Sequence, residues 1–87
     1  MEFEYDPNKS ESNRQKHGID FEEAQALWLD AYRLEIQAKS DDEPRFALIS
    51  ELYKKLWTAF YTIRENRVRI ISVRRSRKDE KELYYES

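Results

Sequence analysis

The sequence predicts an α+β domain in which an antiparallel sheet of three to four strands packs against two N-terminal helices and a C-terminal helix. The second half of the chain contains three consecutive segments rich in β-branched and aromatic residues, joined by short links, which favours an antiparallel meander. Helix-capping patterns stand before helical segments at both ends of the chain. Its 87 residues suit one domain, so residues 1–87 are predicted to form a single unit.

The chain begins with a short strand and a polar helix. Phe3 and Tyr5 alternate with acidic residues, which indicates a strand. Asp6 and the proline after it are typical of a helix N-cap and the first helical position. The helix predicted over Asn8–His17 has no apolar stripe, so it can lie only on the surface, held by its ends. Gly18, the only glycine, is expected to end it in the left-handed conformation.

A second helix follows and is better marked. Asp20 can cap it, and Glu23 stands three residues later, as in a capping box. We expect this helix to end at Asp30. Its apolar face contains Phe21, Ala24, Ala26, Leu27 and Trp28.

In four further segments apolar and polar residues alternate, as is typical of β-strands. They are Tyr32–Ile36, Arg45–Tyr53, Leu56–Arg64 and Arg67–Arg75, and an acidic loop at Lys39–Pro44 separates the first from the rest. Because the last three are joined by very short connections, each is expected to pair with the next.

The last strand, Arg67–Arg75, combines an apolar middle with arginines at its ends. In a regular strand Arg69 and Arg74 point to opposite faces. Both can therefore serve one ligand only if the strand twists strongly, bulges or ends near Ser72. A bulge or a strand end in this run is a prediction that the structure tests.

The chain closes with a predicted helix. Ser76 is the expected N-cap, with Asp79 at the reciprocal position of a capping box. Leu83 and Tyr84 would pack on the sheet, and Tyr85 would lie on the neighbouring side.

Charge is distributed unevenly, although the net charge is only −2. Residues 1–43 contain 5 Lys/Arg against 12 Asp/Glu, and residues 44–87 contain 11 against 6. The basic half could meet phosphate and the acidic half a basic protein, although segregation of this size is also ordinary in small domains. The chain has no apolar run long enough to span a bilayer, and its acidic start lacks a signal-peptide pattern, so we expect a cytoplasmic protein without membrane contact.

The residue inventory limits the chemistry. Cysteine is absent and His17 is the only histidine, which removes most nucleophilic and zinc designs. A single glycine excludes a phosphate loop or a dinucleotide fingerprint. The remaining arginine, lysine, tyrosine, glutamate and imidazole groups suit metal-free cleavage of RNA, in which the 2′-hydroxyl supplies the nucleophile. We therefore expect no cofactor and no metal ion.

Each candidate residue also has a structural interpretation. Arg67 and Arg77 are better explained as solvated residues at strand ends, whereas Arg64, Arg69 and Arg74, next to apolar strand cores, favour function. His17 can be a cation at a helix C-terminus, and Lys16 a solvated surface lysine. Tyrosines such as Tyr84 and Tyr85 pack more often than they act as acids.

Several stretches, taken in order, resemble the BrnT family of bacterial type II toxins. The stretch from Asn13 to Ala24, with Lys16-His17-Gly18 at its centre, carries the clearest likeness. The other matching stretches are Tyr5-Asp6-Pro7-Asn8-Lys9, Tyr61-Thr62-Ile63-Arg64, Arg69-Ile70-Ile71-Ser72-Val73-Arg74-Arg75 and the end from Glu82 to Glu86. No single motif is decisive, but the ordered set at these spacings is fairly specific.

The resemblance implies a RelE-like fold and a metal-independent ribonuclease that inhibits translation. It also implies a BrnA-type antitoxin with a ribbon-helix-helix part, a complex of two toxins with two antitoxins, and contact with operator DNA only through the antitoxin. The catalytic candidates it supports are Lys16, His17, Arg64, Arg69, Arg74 and Tyr84. The residues expected to contact RNA in addition are Arg67, Arg75, Arg77 and Tyr85.

The chain departs from the family pattern at two places. It has no glycine between Glu51 and Lys55, where relatives usually do, and it has polar residues at Ser10–Ser12 in place of small apolar ones. The alternative to an enzyme is a non-catalytic module that binds nucleic acid or an acidic protein within a regulatory complex.

Overall fold

The computed structural model of the chain describes residues 1–87 as a five-stranded sheet with helices against both of its faces. The sheet has the order β1-β5-β4-β3-β2, in which β2 to β5 form an antiparallel meander and β1 joins β5 in parallel. No helix has the length and apolar character needed to cross a membrane. The elements are β1 (Glu2–Glu4), α1 (Pro7–His17), α2 (Phe21–Ala24) continued by a 3₁₀ helix (Gln25–Leu29), β2 (Leu34–Ala38), β3 (Arg45–Leu52), β4 (Lys55–Arg64), β5 (Arg67–Arg75) and α3 (Lys78–Glu86).

The predicted α+β class is confirmed, but the expected count of three to four strands is wrong. The additional strand is β1, whose three residues pair with the first three of β5. This pairing joins residues that are 65 positions apart in the chain, and no local pattern in the sequence signals such a contact. It also makes the sheet mixed rather than purely antiparallel.

Two groups of apolar side chains lie on opposite faces of the sheet. The main core lies between the sheet and the segment that contains α2 and the 3₁₀ helix. Its buried residues are Ile19, Phe21, Ala24, Leu27, Trp28, Leu48, Trp57, Ala59, Tyr61, Val68, Ile70 and Val73. A smaller group on the other face consists of Ile49, Leu56 and Tyr84, so α3 covers one end of that face.

Helix α1 is a polar surface helix, as predicted, but its ends are not all that holds it. The Asp6 side chain accepts a hydrogen bond from the backbone of Asn8, and Gly18 ends the helix with φ +79°. In addition, the buried Asn13 donates to the carbonyls of Ile19 and Val73 and accepts from the N–H of Val73. Its side chain thus pairs with the free edge of β5 as a neighbouring strand would.

Helix α2 begins with the predicted capping box. The side chain of Asp20 accepts from the N–H of Glu23 at 2.7 Å, and the Glu23 side chain accepts from the N–H of Asp20. The α-helix ends at Ala24, and a 3₁₀ helix continues to Leu29. The predicted end near Asp30 is therefore correct for the helical segment as a whole.

The predicted cap of α3 is displaced by one residue. The N-cap is Arg77 rather than Ser76. The reciprocal position is occupied by Glu80 rather than Asp79, and the side chain of Glu80 accepts from the N–H of Arg77. Ser76 is buried, and its hydroxyl lies 2.9 Å from that of Thr58. The hydroxyl found a partner in the neighbouring strand, which a helix-capping pattern does not reveal.

The predicted irregularity in β5 is confirmed as a bulge at Ile71. Phe60 of β4 pairs with Ser72, whereas the next residue, Tyr61, pairs with Ile70, so Ile71 has no partner. The extra residue reverses the alternation along the strand. Val68, Ile70 and Val73 consequently all face the main core, and Arg67, Arg69, Ser72 and Arg74 share the opposite face.

Candidate functional site

The face opposite the main core carries four of the arginines of β4 and β5. Arg64 of β4 pairs with Arg67 of β5, and Thr62 pairs with Arg69, so their side chains project on the same side of the sheet. Because of the bulge at Ile71, the side chain of Arg74 projects on this side as well. We call this surface, defined by Arg64, Arg67, Arg69 and Arg74, the arginine face. Helix α3 lies at the end of this face that contains Arg74, where Glu80 pairs with Arg74 and Tyr84 packs on Ile49 and Leu56.

Arg74 is held by a two-point ion pair at the boundary of α3. Its Nη1 and Nη2 donate to the two carboxylate oxygens of Glu80, each at 2.8 Å, and its guanidinium lies 5.2 Å from the centroid of the Phe60 ring. Nη1 also donates to the carbonyl of Arg75. Since Nε and the second Nη2 hydrogen have no partner, one complete two-donor edge of the guanidinium is open to a ligand such as phosphate.

Glu80 collects hydrogen bonds from three elements. Besides Arg74, the hydroxyl of Thr58 in β4 donates to it at 2.9 Å, and the N–H of Arg77 donates at 2.8 Å. The hydrogen bonds from Arg74 outweigh burial and, with those from Arg77 and Thr58, lower the pKa of Glu80 to about 2. The Glu80 carboxylate therefore fixes the guanidinium of Arg74 between α3 and the sheet, and the pKa of Arg74 is raised in return.

The other arginines of the face are also paired, but less tightly. Arg69 donates once to Glu4 of β1, at 2.8 Å. Arg64 donates through Nε and Nη2 to Glu43 in the loop before β3. Glu2 lies 3.7 Å from Arg67, a distance that marks an ion pair without a hydrogen bond.

A cleft of ≈ 290 Å³ lies where α1 meets the bulge. Its lining combines Lys16 and His17, at the end of α1, with Ile71 and Ser72 of β5. Lys9, Ser12 and Asn13 complete it, so no acidic residue contributes. Ser72 belongs both to this cleft and to the arginine face, and it connects the two candidate groups.

The structure thus brings Lys16 and His17 to the bulge that aligns Arg69 with Arg74, but it separates other candidates from them. Arg75 faces the opposite side of the sheet, with its guanidinium 5.6 Å from the Trp57 ring centroid. Arg77 is an exposed helix N-cap.

The two candidate tyrosines belong to α3. Tyr84 is buried, and its hydroxyl donates to Asp30 at 2.6 Å. Burial and this bond raise the pKa of Tyr84 above its ordinary value, so its hydroxyl is a weaker acid than a free tyrosine. Tyr85 is exposed and packs edge-on against Tyr84.

Sequence reasoning missed three contributors: Phe60, Glu80 and Ser72. Phe60 alternates with Thr58 and Thr62 on the arginine face, a position that strand parity could have given once the register of β4 and β5 was known. Glu80 stands three residues after Arg77, the spacing of a capping box, but arginine is an unusual first member. Ser72 stands next to the bulge, and only the bulge gives it this face.

A larger hollow, of ≈ 610 Å³, lies at the loop between β2 and β3. Its lining includes Asp41 and Asp42 and none of the candidate residues. No group of three or more histidine, aspartate or glutamate side chains is arranged to hold a metal ion.

Comparison with known proteins finds one matching family. A family model described as the ribonuclease toxin BrnT of type II toxin-antitoxin systems matches residues 5–80. This range includes α1, the whole of β5 and Glu80. No curated protein matches the chain.

Proposed function

Because the chain belongs to the BrnT family of ribonuclease toxins of type II toxin-antitoxin systems, we propose that it cleaves RNA without a metal ion and so inhibits translation. The observation that carries this proposal is the bulge at Ile71, which sets Arg69 and Arg74 on one face beside the cleft of Lys16 and His17. In RNA the 2′-hydroxyl attacks the adjacent phosphate. The protein then has to move protons and stabilise the charge that develops on the phosphorus oxygens.

In this proposal the arginines bind the scissile phosphate. Arg74 offers its open two-donor edge, which matches two phosphate oxygens, while Glu80 and the Phe60 ring hold its orientation. Arg69 adds a second guanidinium on the same face, and Arg64 continues the row. A preorganised pair of guanidinium groups stabilises a doubly charged phosphorane better than the singly charged ground state.

His17 and Lys16 are the proposed proton-transfer groups. Both are exposed, and both line the cleft that Ser72 shares with the arginine face. One of the two accepts the 2′-hydroxyl proton as that oxygen bonds to phosphorus, and the other donates a proton to the 5′-oxygen as its bond to phosphorus breaks. Tyr84, whose hydroxyl is engaged with Asp30, supports the packing of α3 in this scheme. Tyr85 is available for stacking with a base.

We further propose the partners and setting that family membership suggests. They are a BrnA-type antitoxin that masks the toxin, a complex of two toxins with two antitoxins, and operator DNA contacted only through the antitoxin. The toxin would act in the cytoplasm, where RNA is translated, with a RelE-like arrangement of helices around the central antiparallel strands.

A test is incubation of the purified protein with RNA in the presence of EDTA. Cleavage is expected to persist and to leave the 2′,3′-cyclic phosphate ends that attack by the 2′-hydroxyl produces. Intact RNA at high concentrations of folded protein would refute the enzymatic proposal. Cleavage that EDTA abolishes would refute only the metal-free mechanism.

One observation favours a non-catalytic binding module: every arginine of the arginine face already has a carboxylate partner. Arg74→Ala separates the two functions, and Arg75→Ala is its matched control, because these neighbours face opposite sides of the sheet. In the enzyme, Arg74→Ala abolishes cleavage and leaves antitoxin binding intact, and Arg75→Ala retains both. If Arg74→Ala chiefly weakens a protein complex, the binding module is the better account.

A further inference from the structure

The ion pairs of the arginine face fall into two classes of burial. In the pair of Arg74 with Glu80 the side chains are only 21% and 16% exposed, and Glu80 has further hydrogen-bond donors. The pair of Arg69 with Glu4 is 31% and 30% exposed, and a single hydrogen bond holds it. The pair of Arg64 with Glu43 is 51% and 37% exposed.

Glu4 and Glu43 have no other side-chain hydrogen-bond donors. Glu4 belongs to β1, which backbone pairing with β5 holds in place, and Glu43 belongs to the loop before β3. Removing either carboxylate from its arginine therefore leaves the backbone contacts of both segments intact. By contrast, moving Glu80 away from Arg74 would also break its hydrogen bonds with Thr58 and Arg77.

The looser pairs form one electrostatic cluster. Hydrogen bonds from Arg64 lower the pKa of Glu43, and Arg45 and Arg69 lower it further. The pKa of Arg64 is raised mainly by its hydrogen bonds to Glu43, and to a smaller extent by the charge of Glu4. Glu43 therefore interacts with Arg69, and Glu4 with Arg64, so a ligand that enters this part of the face encounters both ion pairs.

From this arrangement, and resting on the proposed function, we propose that Glu4 and Glu43 stand in for substrate phosphates. They occupy Arg69 and Arg64 in the free protein, and the RNA backbone displaces them when it binds. A phosphodiester carries the same single charge as a carboxylate and accepts the same two-point hydrogen bonds from a guanidinium. Substrate binding is then an exchange of anions, in which the two glutamates set the affinity and Arg74 remains oriented throughout.

The exchange is tested with a fluorescent oligonucleotide of mixed sequence that carries 2′-O-methyl groups. Such a probe lacks the attacking hydroxyl, so binding is measured independently of cleavage. The variants are Glu4→Gln, Glu43→Gln and the double variant. Glu22→Gln is the control, because it makes the same change of charge at an exposed carboxylate of α2, on the other side of the sheet.

We expect Kd for the probe to fall about two- to five-fold for each of the two single variants, because a partly exposed ion pair no longer competes. Glu22→Gln should leave Kd within the small change expected from net charge alone. Unchanged or weaker binding by Glu4→Gln and Glu43→Gln, with the wild type still binding, overturns the exchange but not the ribonuclease proposal. If neither the wild type nor the double variant binds, the arginine face does not take RNA, and both proposals fail.

Discussion

Replacing Glu80 with glutamine tests how firmly α3 fixes Arg74. A carboxyl whose pKa falls from 4.5 to about 2 on folding contributes about 3 kcal/mol to the free energy of unfolding at neutral pH. Since the side chain of Glu80 is only 16% exposed, solvent screening reduces this contribution little. The shape of the side chain survives in Glu80→Gln, and its one oxygen can replace Oε1, which accepts three of the four hydrogen bonds, so the loss reports mainly on the charge.

The sign of the pH dependence follows from the lowered pKa. The stabilisation is fully present above the ordinary pKa of 4.5 and is lost as the pH falls through about 2. Urea unfolding of Glu80→Gln and the wild type is therefore expected to differ by about 3 kcal/mol at pH 7 and by about 1.4 kcal/mol at pH 3. Glu82→Gln, at an exposed position of the same helix, should match the wild type at both pH values. A difference for Glu80→Gln below about 1 kcal/mol at pH 7, or one that does not shrink at pH 3, would refute the assigned role of the pair.

Three further substitutions test the end of α1, its attachment to β5 and the role of Arg74. In a urea titration, Gly18→Ala should lower the free energy of unfolding by about 1–2 kcal/mol because φ is +79° there, although nothing lies within 4 Å of an added Cβ. Gly18→Asn should lower it less. Asn13→Ala should lower the free energy of unfolding by about 3 kcal/mol, about 1 kcal/mol for each of its three hydrogen bonds. Hydrogen exchange should show α1 opening from β5, and equal protection of α1 in both proteins would contradict this. Arg74→Lys should keep the charge but lose the two-point bond to Glu80, so initial rates of RNA cleavage should fall more than ten-fold; rates equal to the wild type would show that charge alone suffices.

Local signals in the sequence predicted most of the elements. Asp6 and Gly18 bound α1, and the capping box of Asp20 and Glu23 begins α2, because these signals involve residues within one turn of the helix end. The bounds Arg67–Arg75 of β5 were predicted from its β-branched middle, and a bulge or a strand end was predicted from the conflict between Arg69 and Arg74. A requirement of function thus revealed an irregularity that strand propensity alone does not.

Most of the features that were missed depend on distant partners. β1 joins the sheet by pairing with a strand more than sixty residues away, and Ser76 takes Thr58 in β4 as its partner instead of capping α3. The polar helix α1 owes its hold on β5 to Asn13, whose bonds to Val73 likewise join residues that are sixty apart. The carboxylate partners of Arg64 and Arg69 could not be assigned from the sequence for the same reason, since charge patterns do not specify which residues meet in space.

Cleavage of RNA in EDTA by purified Arg74→Ala and Arg75→Ala decides whether the arginine face is catalytic. The two neighbours carry the same charge, and the bulge at Ile71 directs only Arg74 to the arginine face. We expect cleavage by the wild type and by Arg75→Ala, and none by folded Arg74→Ala. Equal cleavage by both variants, or loss in Arg75→Ala alone, would contradict this expectation.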